Sequence, residues 1–536
     1  MKSRILTVTE WSTAALLTLA VLILLYTRAH HAGGLWRDEC ASVQLAEMPT
    51  ISDVCRNFQR ESFPALFALT VRAYGAVFGT SDASLRAFGF IVGLTLLAVV
   101  WVNALVLTGP PPLLALALLG LNATFLISGT SIRGYGMGSV AVLLVVGLVG
   151  KMVLDPTGPR ILAALVASLL SVQFLLYNSV LLIAIATAVV IVSLLRRQLR
   201  MVVAMGTICI VCAMSMLPYL WPFWNESRST VVLRSVVTLN WFWRPLGLAL
   251  GTPTFFMVAL WGALFVTLTV GTVMRLVITW SNKPTPEWDL LLFGLVVAVT
   301  SIFFYFAFLE IIGYLPREWH FLALLSTIAG TIDLLAASLC RIRWVRAARL
   351  AAVIAALIVM PIANWPKVTQ RQTNLDLVAH KLEDLAHPED LIVVDPWTLG
   401  VTFNWYYHGG TRWVTVPVMW DHRVHRFDLL KEKMMSPYPL NDLGEMIAGT
   451  LRASHRVWVV GGISLPKTNE KTLPLPPAPD SQFGWNCDAY ASVWSAQLGD
   501  FIQAHASRGQ FIPVRVDGSV NDIEDEPLML VEGWRE

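Results

Sequence analysis

Long runs of apolar residues recur along the first two thirds of the chain. Most are about 17 to 25 residues long, the length that an α-helix needs to cross a hydrocarbon core of about 30 Å. The candidate spans are residues 11–26, 85–107, 112–129, 135–154, 161–177, 179–195, 201–219, 251–274, 289–311, 319–340 and 348–363. The pattern predicts an α-helical polytopic membrane protein with about eleven transmembrane helices.

The longest apolar run, residues 161–195, exceeds one span of ordinary length, and we divide it at Tyr177 and Asn178. The positions of basic residues test this division, because Lys and Arg collect in short cytoplasmic loops. With the break, the basic clusters share one side, namely Lys2 with Arg4, Lys151 with Arg160, residues 196–200, Arg275 with Lys283, and residues 341–349. We therefore expect a cytoplasmic N-terminus.

Hydropathy falls after residue 363, which divides the chain into a membrane domain, residues 1–363, and a soluble domain, residues 364–536. Helix-like and strand-like patterns alternate in the second part. The helices are expected at 371–386 and 397–407, and the strands at 391–395, 456–462, 510–516 and 527–533. An odd number of spans places this α/β domain on the extracytoplasmic side.

Composition narrows the class of protein further. Hydrophobic residues make up 56% of the chain and charged residues only 14%, as in membrane proteins. The formal net charge of +3 gives no reason to expect a nucleic-acid partner. No group of His, Cys, Asp or Glu has the spacing of a metal site. Cys40 and Cys55 share the first outer loop, and spacing alone leaves open whether they pair.

The first outer loop, residues 28–84, contains two adjacent carboxylates, Asp38 and Glu39. They are either solvated loop charges or groups held at headgroup depth by interfacial helices. In the second case we expect partial desolvation to raise the basicity of the carboxylate, which suits a general base. Neighbouring residues on a helix or strand point in different directions. One carboxylate is thus expected to be the base and the other a positioning group.

Two arginines are expected on the same outer side. Arg133 lies in a Gly-containing turn, and Arg317 precedes a late span. A guanidinium at an interface either pairs with local acids and lipid headgroups or binds phosphate through two charge-assisted hydrogen bonds. The tryptophan-rich segment 219–245, with Arg228, Arg234 and Trp241, is either an interfacial anchor or a surface for sugar or lipid phosphate.

Three motifs resemble the GT-C superfamily of membrane glycosyltransferases, which includes protein O-mannosyltransferases and the aminoarabinose transferases of lipid A. "LWRDECASVQLA" resembles the acidic motif of the first loop. "SIRGYGMGSVAVLL" is similar to an Arg-x-Tyr pattern that opens a span, and "PREWHFLALLSTIAG" is similar to a late span. The resemblance covers residues 1–345 and implies a GT-C-like fold with interfacial helices.

By this resemblance, the protein transfers a sugar from a polyprenyl-phosphate donor to a lipid, glycan or protein acceptor at the outer face of the cell (inner) membrane. Asp38 would be the general base for an inverting attack, and Glu39 would orient it or the acceptor. The remaining implied residues are Arg133, Tyr135 and Arg317 for the donor phosphate, and Trp36, Glu318 and His320 for substrate. The resemblance allows a divalent cation as cofactor but does not require one.

Two other classes of function are consistent with many spans and interfacial arginines. A transporter or flippase of a lipid-linked or anionic substrate would have them, although transporters place ionisable groups near the midplane. The predicted span interiors carry almost no charges. The third class is a non-catalytic relative that acts as a scaffold.

Overall fold

The computed structural model describes residues 2–61, 63–229, 239–280, 285–313, 316–339, 342–463 and 472–536. The middle of the tryptophan-rich segment, residues 230–238, lies outside this part of the chain. The side chains of Arg228 and Trp241 lie outside it as well.

All regular secondary structure in the described part of the membrane domain is helical. In chain order they are α1 Lys2–His31, α2 Arg37–Ala46, α3 Ile51–Asn57, α4 Ala65–Phe78, α5 Asp82–Leu107, α6 Leu113–Ala115, α7 Gly134–Leu154, α8 Gly158–Phe174, α9 Asn178–Leu195, α10 Leu199–Ser229, α11 Leu239–Leu250, α12 Thr254–Ile278, α13 Pro286–Ile312, α14 Leu322–Leu339 and α15 Arg343–Val368.

Within the described residues, 9 helices are long and apolar enough to cross a membrane. The protein is therefore a multi-pass membrane protein, as predicted. Residues 161–177 correspond to α8, an apolar helix of 17 residues. One predicted span takes another form, because residues 112–129 do not form one α-helix.

The broken segment consists of α6 and two π-helical turns, Leu116–Gly120 and Phe125–Gly129, separated by Leu121–Thr124. Its freed backbone groups are bound by side chains from neighbouring helices. The amides of Leu114 and Ala115 donate to the carboxylate of Asp333 on α14 at 3.2 and 3.1 Å. Most of the segment is buried in protein, which is where irregular backbone is tolerated at membrane depth.

The predicted break in the long apolar run is confirmed, because α8 ends at Phe174 and α9 begins at Asn178. The buried Asn178 side chain holds this corner. Its Nδ2 donates to the carbonyls of Gly138 and Ser171 at 2.8 and 3.1 Å. An asparagine in an apolar run thus marked a turn whose backbone groups need a polar partner.

The first outer loop contains α2, α3, a 3₁₀ turn at Phe58–Glu61, and α4. A reciprocal capping box starts α3, since Thr50 and Asp53 exchange backbone-to-side-chain hydrogen bonds at 3.1 Å each. Cys40 is buried, Cys55 is exposed, and both are free thiols. They do not pair.

The C-terminal domain is a small α/β unit, as predicted. Its elements are α16 Leu375–Leu385, β1 Leu391–Val394, α17 Leu399–Tyr406, β2 Arg412–Thr415, α18 Phe427–Met435, α19 Asn441–Arg452, β3 Val457–Val460, α20 Cys487–His505, β4 Ala506–Ile512 and β5 Leu528–Trp534.

The five strands form one sheet in the order β2-β1-β3-β5-β4. β1 runs parallel to β2 and β3, and β5 runs antiparallel to β3 and β4. The sequence "LIVV" of β1 is buried at every position, as expected for a strand covered on both faces. The pattern missed β2 and placed β4 slightly late, at 510–516.

The C-terminal domain sits directly on the first outer loop. α15 continues to Val368, past the predicted boundary, and the chain then returns to the loop. The amide of Gln372 donates to the carbonyl of Ala32 at 2.8 Å, and the amide of Leu35 donates to the hydroxyl of Tyr406 at 2.6 Å. This docking brings residues of the soluble domain to the start of α2.

Candidate active site

The site is built around the N-terminus of α2, which begins after a Gly33-Gly34 turn. Gly33 has a φ of +63°, a conformation that glycine adopts without strain. Asp38 and Glu39 occupy the first helical turn, where negative charge complements the helix dipole. Their side chains diverge, as adjacent helical positions require, and they have different surroundings.

Asp38 faces a cluster of cationic and imidazole groups. Its Oδ1 lies 3.5 Å from Nε of Arg37 and 3.7 Å from Nε2 of His425, and its Oδ2 lies 3.8 Å from Nη2 of Arg133. Burial raises the pKa of Asp38, but Arg133 and Arg37 outweigh burial and leave the pKa below its usual value. The expectation of raised basicity is therefore wrong, because sequence alone does not show how many cations gather round the carboxylate.

Arg133 precedes α7 and connects the loop to the membrane domain. Its Nη1 donates to Oε2 of Glu61 at 2.6 Å, to the hydroxyl of Ser42 at 3.1 Å and to the carbonyl of Asp38 at 3.0 Å. Its guanidinium also lies over the ring of Phe63, 4.6 Å from the centroid. Burial lowers the pKa of Arg133, but the charges of Asp38 and Glu61 outweigh burial and raise it.

The C-terminal domain contributes His425 to the same cluster. Its Nδ1 lies 3.1 Å from Oε1 of Glu61. Because a carboxylate only accepts, Nδ1 carries the hydrogen in this bond. The arrangement of Glu61, His425 and Asp38 joins the soluble domain to the start of α2.

Glu61 and His425 were missed by sequence reasoning, as was Arg37. His425 lies in "WDHRVHRFD", residues 420–428, where two histidines among charged residues interrupt the alternating pattern of the domain. This concentration of histidines and charged residues could have identified the segment as part of a site. Nothing about Glu61 in "RESF" distinguishes it from a solvated charge, and only the fold brings it to Arg133.

Glu39 lies on the other side of α2 and is fully buried. Its Oε1 accepts from Nη1 of Arg86 at 2.8 Å and from the amide of Ile132 at 2.9 Å. Arg86 also donates to the carbonyls of Gly33 and Gly34 at 3.1 and 2.6 Å. These contacts tie α2, α5 and the segment before α7 together, away from the Asp38 cluster.

Tyr135 and His320 lie next to each other beside this cluster. The Tyr135 and His320 rings are edge to face at 5.8 Å, and Tyr177 contacts His320 at the same distance. Nδ1 of His320 accepts from the amide of Arg317 at 2.8 Å, so this histidine also caps the turn before α14. The structure thus brings two of the predicted site residues together.

The other predicted residues lie at the edge of the site. The Trp36 ring meets Trp319 edge to face at 6.1 Å. The Arg317 side chain is exposed and Glu318 is half-buried. Arg37, next to Trp36, is half-buried and its Nε makes no hydrogen bond.

A divalent cation does not fit the donor set. Asp38 and Glu61 are the carboxylates of the cluster, and both already form ion pairs with Arg133. A cation between them would lie against the guanidinium. Within the described residues there is no group of three or more His, Cys, Asp or Glu that could hold a metal ion. Arg133 supplies the positive charge at this position.

No protein-family model matches the chain, and no curated protein matches it. Solved structures do. ArnT from Cupriavidus metallidurans bound to undecaprenyl phosphate has 12% identity and a TM-score of 0.50, covering 96% of this chain and 97% of ArnT. Apo ArnT has 11% identity and a TM-score of 0.52, with the same coverage.

An oligosaccharyltransferase from Archaeoglobus fulgidus, tethered to an acceptor peptide, also matches. It has 10% identity and a TM-score of 0.50, covering 94% of this chain and 73% of the transferase. The chain therefore has the fold of ArnT and of the archaeal oligosaccharyltransferase. The fold expected from the three sequence motifs is confirmed.

Proposed function

We propose that the protein transfers a sugar from a polyprenyl-phosphate donor to an acceptor at the outer face of the cell membrane. The observation that carries this proposal is the Asp38 cluster, a carboxylate held among Arg37, Arg133 and His425 beside the membrane domain of a GT-C fold. A donor with a polyprenyl tail partitions into the bilayer, so its sugar-phosphate head is met at the interface.

In the proposed reaction, an acceptor hydroxyl or amine attacks C1 of the sugar from the side opposite the phosphate. The new bond to C1 forms, the bond from C1 to the phosphate oxygen breaks, and Asp38 takes the acceptor proton. The phosphate leaves as a stable anion and needs no proton. Because the surrounding cations lower the pKa of Asp38, it is ionised at neutral pH and accepts the proton late in the reaction.

We assign the donor phosphate to the cations around Asp38. Nη1 of Arg133 is engaged by Glu61, which leaves Nη2 as the side of the fork directed at Asp38 and the phosphate. Arg37 and Arg317 extend the positive charge toward the rim, where Trp36 and Glu318 are proposed substrate contacts. Beside the cluster, Tyr135 is a proposed contact of the donor phosphate and His320 a proposed contact of the substrate. These cations would stabilise the charge that develops on the leaving group.

We assign positioning roles to Glu39, Glu61 and His425. Glu39 holds the start of α2 in place through Arg86 and Ile132, on the side of the helix away from Asp38. Glu61 accepts from both Arg133 and Nδ1 of His425, and Nε2 of His425 faces Asp38. His425→Gln should reduce transfer about tenfold. This loss is smaller than that of Asp38→Asn, because the base itself remains.

The orientation of the membrane domain is part of the proposal. The basic clusters of the inner side include Arg196, Arg275 and Arg346, which pair with carboxylates on neighbouring helices. Asp38 belongs to the opposite side. A reporter that is active only in the cytoplasm and is fused after Glu536 should stay silent, and strong activity would contradict this orientation.

The test compares cells that contain the wild-type gene, the Asp38→Asn variant or no gene. Mass spectrometry of lipid extracts and envelope glycans should show a sugar-polyprenyl phosphate that accumulates, and a modified acceptor that disappears, in the last two strains. Equal product in the wild type and the Asp38→Asn strain, at equal protein levels, would refute the proposal. A transporter would instead alter the sidedness of the donor without loss of a glycosidic product.

A further inference from the structure

A groove with a mixed polar and apolar lining lies between the C-terminal end of α2, the start of α5 and the C-terminal domain. Its volume is about 680 Å³, within the range of about 300 to 1,000 Å³ for small-molecule sites. Its lining shares no residue with the Asp38 cluster. The walls come from Gln44 and Glu47 on one side and from His380, Trp405 and His408 on the other.

Hydrogen bonds across the domain boundary hold the walls of this groove in place. Nε2 of Gln44 donates to the carbonyl of Val401 at 3.0 Å, and Oε1 of Gln44 accepts from Nδ2 of Asn404 at 2.5 Å. On the far side, the hydroxyl of Tyr406 donates to Oδ1 of Asp82 at 2.8 Å. The groove is therefore preformed, and a ligand need not order it.

The chemistry of the lining selects among ligand classes. The charged residues of the lining are Glu47, Asp82 and Arg423, two carboxylates and one guanidinium, so the lining itself carries no excess of positive charge that would favour phosphate. His380 donates from Nδ1 to the carbonyl of Asp376 at 2.6 Å, which leaves Nε2 as an acceptor. The lining thus contains both hydrogen-bond donors and acceptors, which polyhydroxyl ligands require.

One aromatic ring completes the site. Trp405 is half-buried at the groove, between Asn404 and Tyr406, and the exposed imidazole of His408 lies nearby in the lining. An indole ring combines an apolar face with a polar edge, which matches the C–H face and the hydroxyl rim of a sugar ring. We propose that this groove binds a neutral oligosaccharide, separately from the reaction at Asp38.

The experiment uses the full-length protein in nanodiscs, and its outcome does not depend on the proposed sugar transfer because no donor is present. The probe is a microarray of neutral oligosaccharides, followed by calorimetric titration of the strongest binder. We expect binding by the wild type and by Asp38→Asn alike. Trp405→Ala should weaken binding about tenfold through the lost ring contact, and His408→Ala should weaken it by a smaller factor.

The matched control is Trp420→Ala, which removes an exposed tryptophan of the same domain that does not line the groove. It should bind as the wild type does, and thermal unfolding reports whether each variant is folded. If Trp405→Ala fails to fold, the exposed His408 decides the outcome. Three results would overturn the proposal: no binding above empty nanodiscs, equal binding by the groove variants and the wild type, or displacement by millimolar inorganic phosphate.

Discussion

Amide substitutions of the adjacent carboxylates Asp38 and Glu39 should change two different properties of the protein. Asp38→Asn removes the proposed proton acceptor at a side chain that is 21% exposed and lies 3.5 to 3.8 Å from its ion-pair partners. Glu39→Gln removes the charge from a fully buried side chain that pairs with the buried Arg86 at 2.8 Å. The first change should act on catalysis and the second on stability.

The magnitudes follow from these surroundings. Loss of one partner of a buried ion pair costs about 3 to 5 kcal/mol. The amide oxygen of Gln can still accept from Ile132, so we expect Glu39→Gln to cost about 3 kcal/mol. Removal of the partly exposed Asp38 charge should cost about 1 kcal/mol or less. Loss of a general base should slow transfer by about 10² to 10⁴.

The assay measures thermal unfolding and transfer rate for both variants in the same nanodiscs, with the donor identified by mass spectrometry. Asp38→Asn should unfold near the wild-type temperature and transfer poorly. Glu39→Gln should unfold several degrees lower and, in the folded fraction, transfer near the wild-type rate. A folded Asp38→Asn protein with near wild-type turnover would refute the base assignment. A Glu39→Gln protein with wild-type stability but no activity would refute the assignment of Glu39 to positioning.

Three further predictions concern the cations and the domain interface. Arg133→Lys keeps the charge but loses the planar guanidinium, which can bind phosphate through two hydrogen bonds, so the KM for the donor should rise about tenfold or more. An unchanged KM would make Arg133 structural. Treatment with EDTA should leave transfer unchanged because Arg133 occupies the position between Asp38 and Glu61; a loss restored by a divalent cation would contradict this. Glu524 of the C-terminal domain is buried and accepts from the amide of Arg37 at 2.9 Å. Burial raises the pKa of Glu524 from 4.5 to about 8, so its ionisation destabilises the fold as pH rises between these values. Glu524→Gln should therefore raise the Tm little at pH 5 and more at pH 8, and an equal Tm difference at both pH values would contradict this.

Much of the membrane topology could be predicted because each span is a local pattern. Length, hydropathy and basic loops located the break at Asn178 and the soluble domain. The segment 112–129 could not be predicted in the same way. Its hydropathy is that of a span, but neighbouring side chains such as Asp333 bind its freed amides and permit a break. That choice depends on contacts between residues far apart in the chain.

For the candidate site, the sequence by itself determined that two adjacent carboxylates follow the first span. It also determined that their side chains diverge, because adjacent positions differ by about 100° on a helix and point to opposite faces on a strand. Only the tertiary structure decided which carboxylate faces the cations. Arg133, Glu61 and His425 come from three separate parts of the chain. The positive charges of Arg133 and Arg37 reverse the pKa shift that burial alone would give Asp38. A pKa reflects the charges within a few ångströms, and those neighbours are fixed by folding rather than by sequence order.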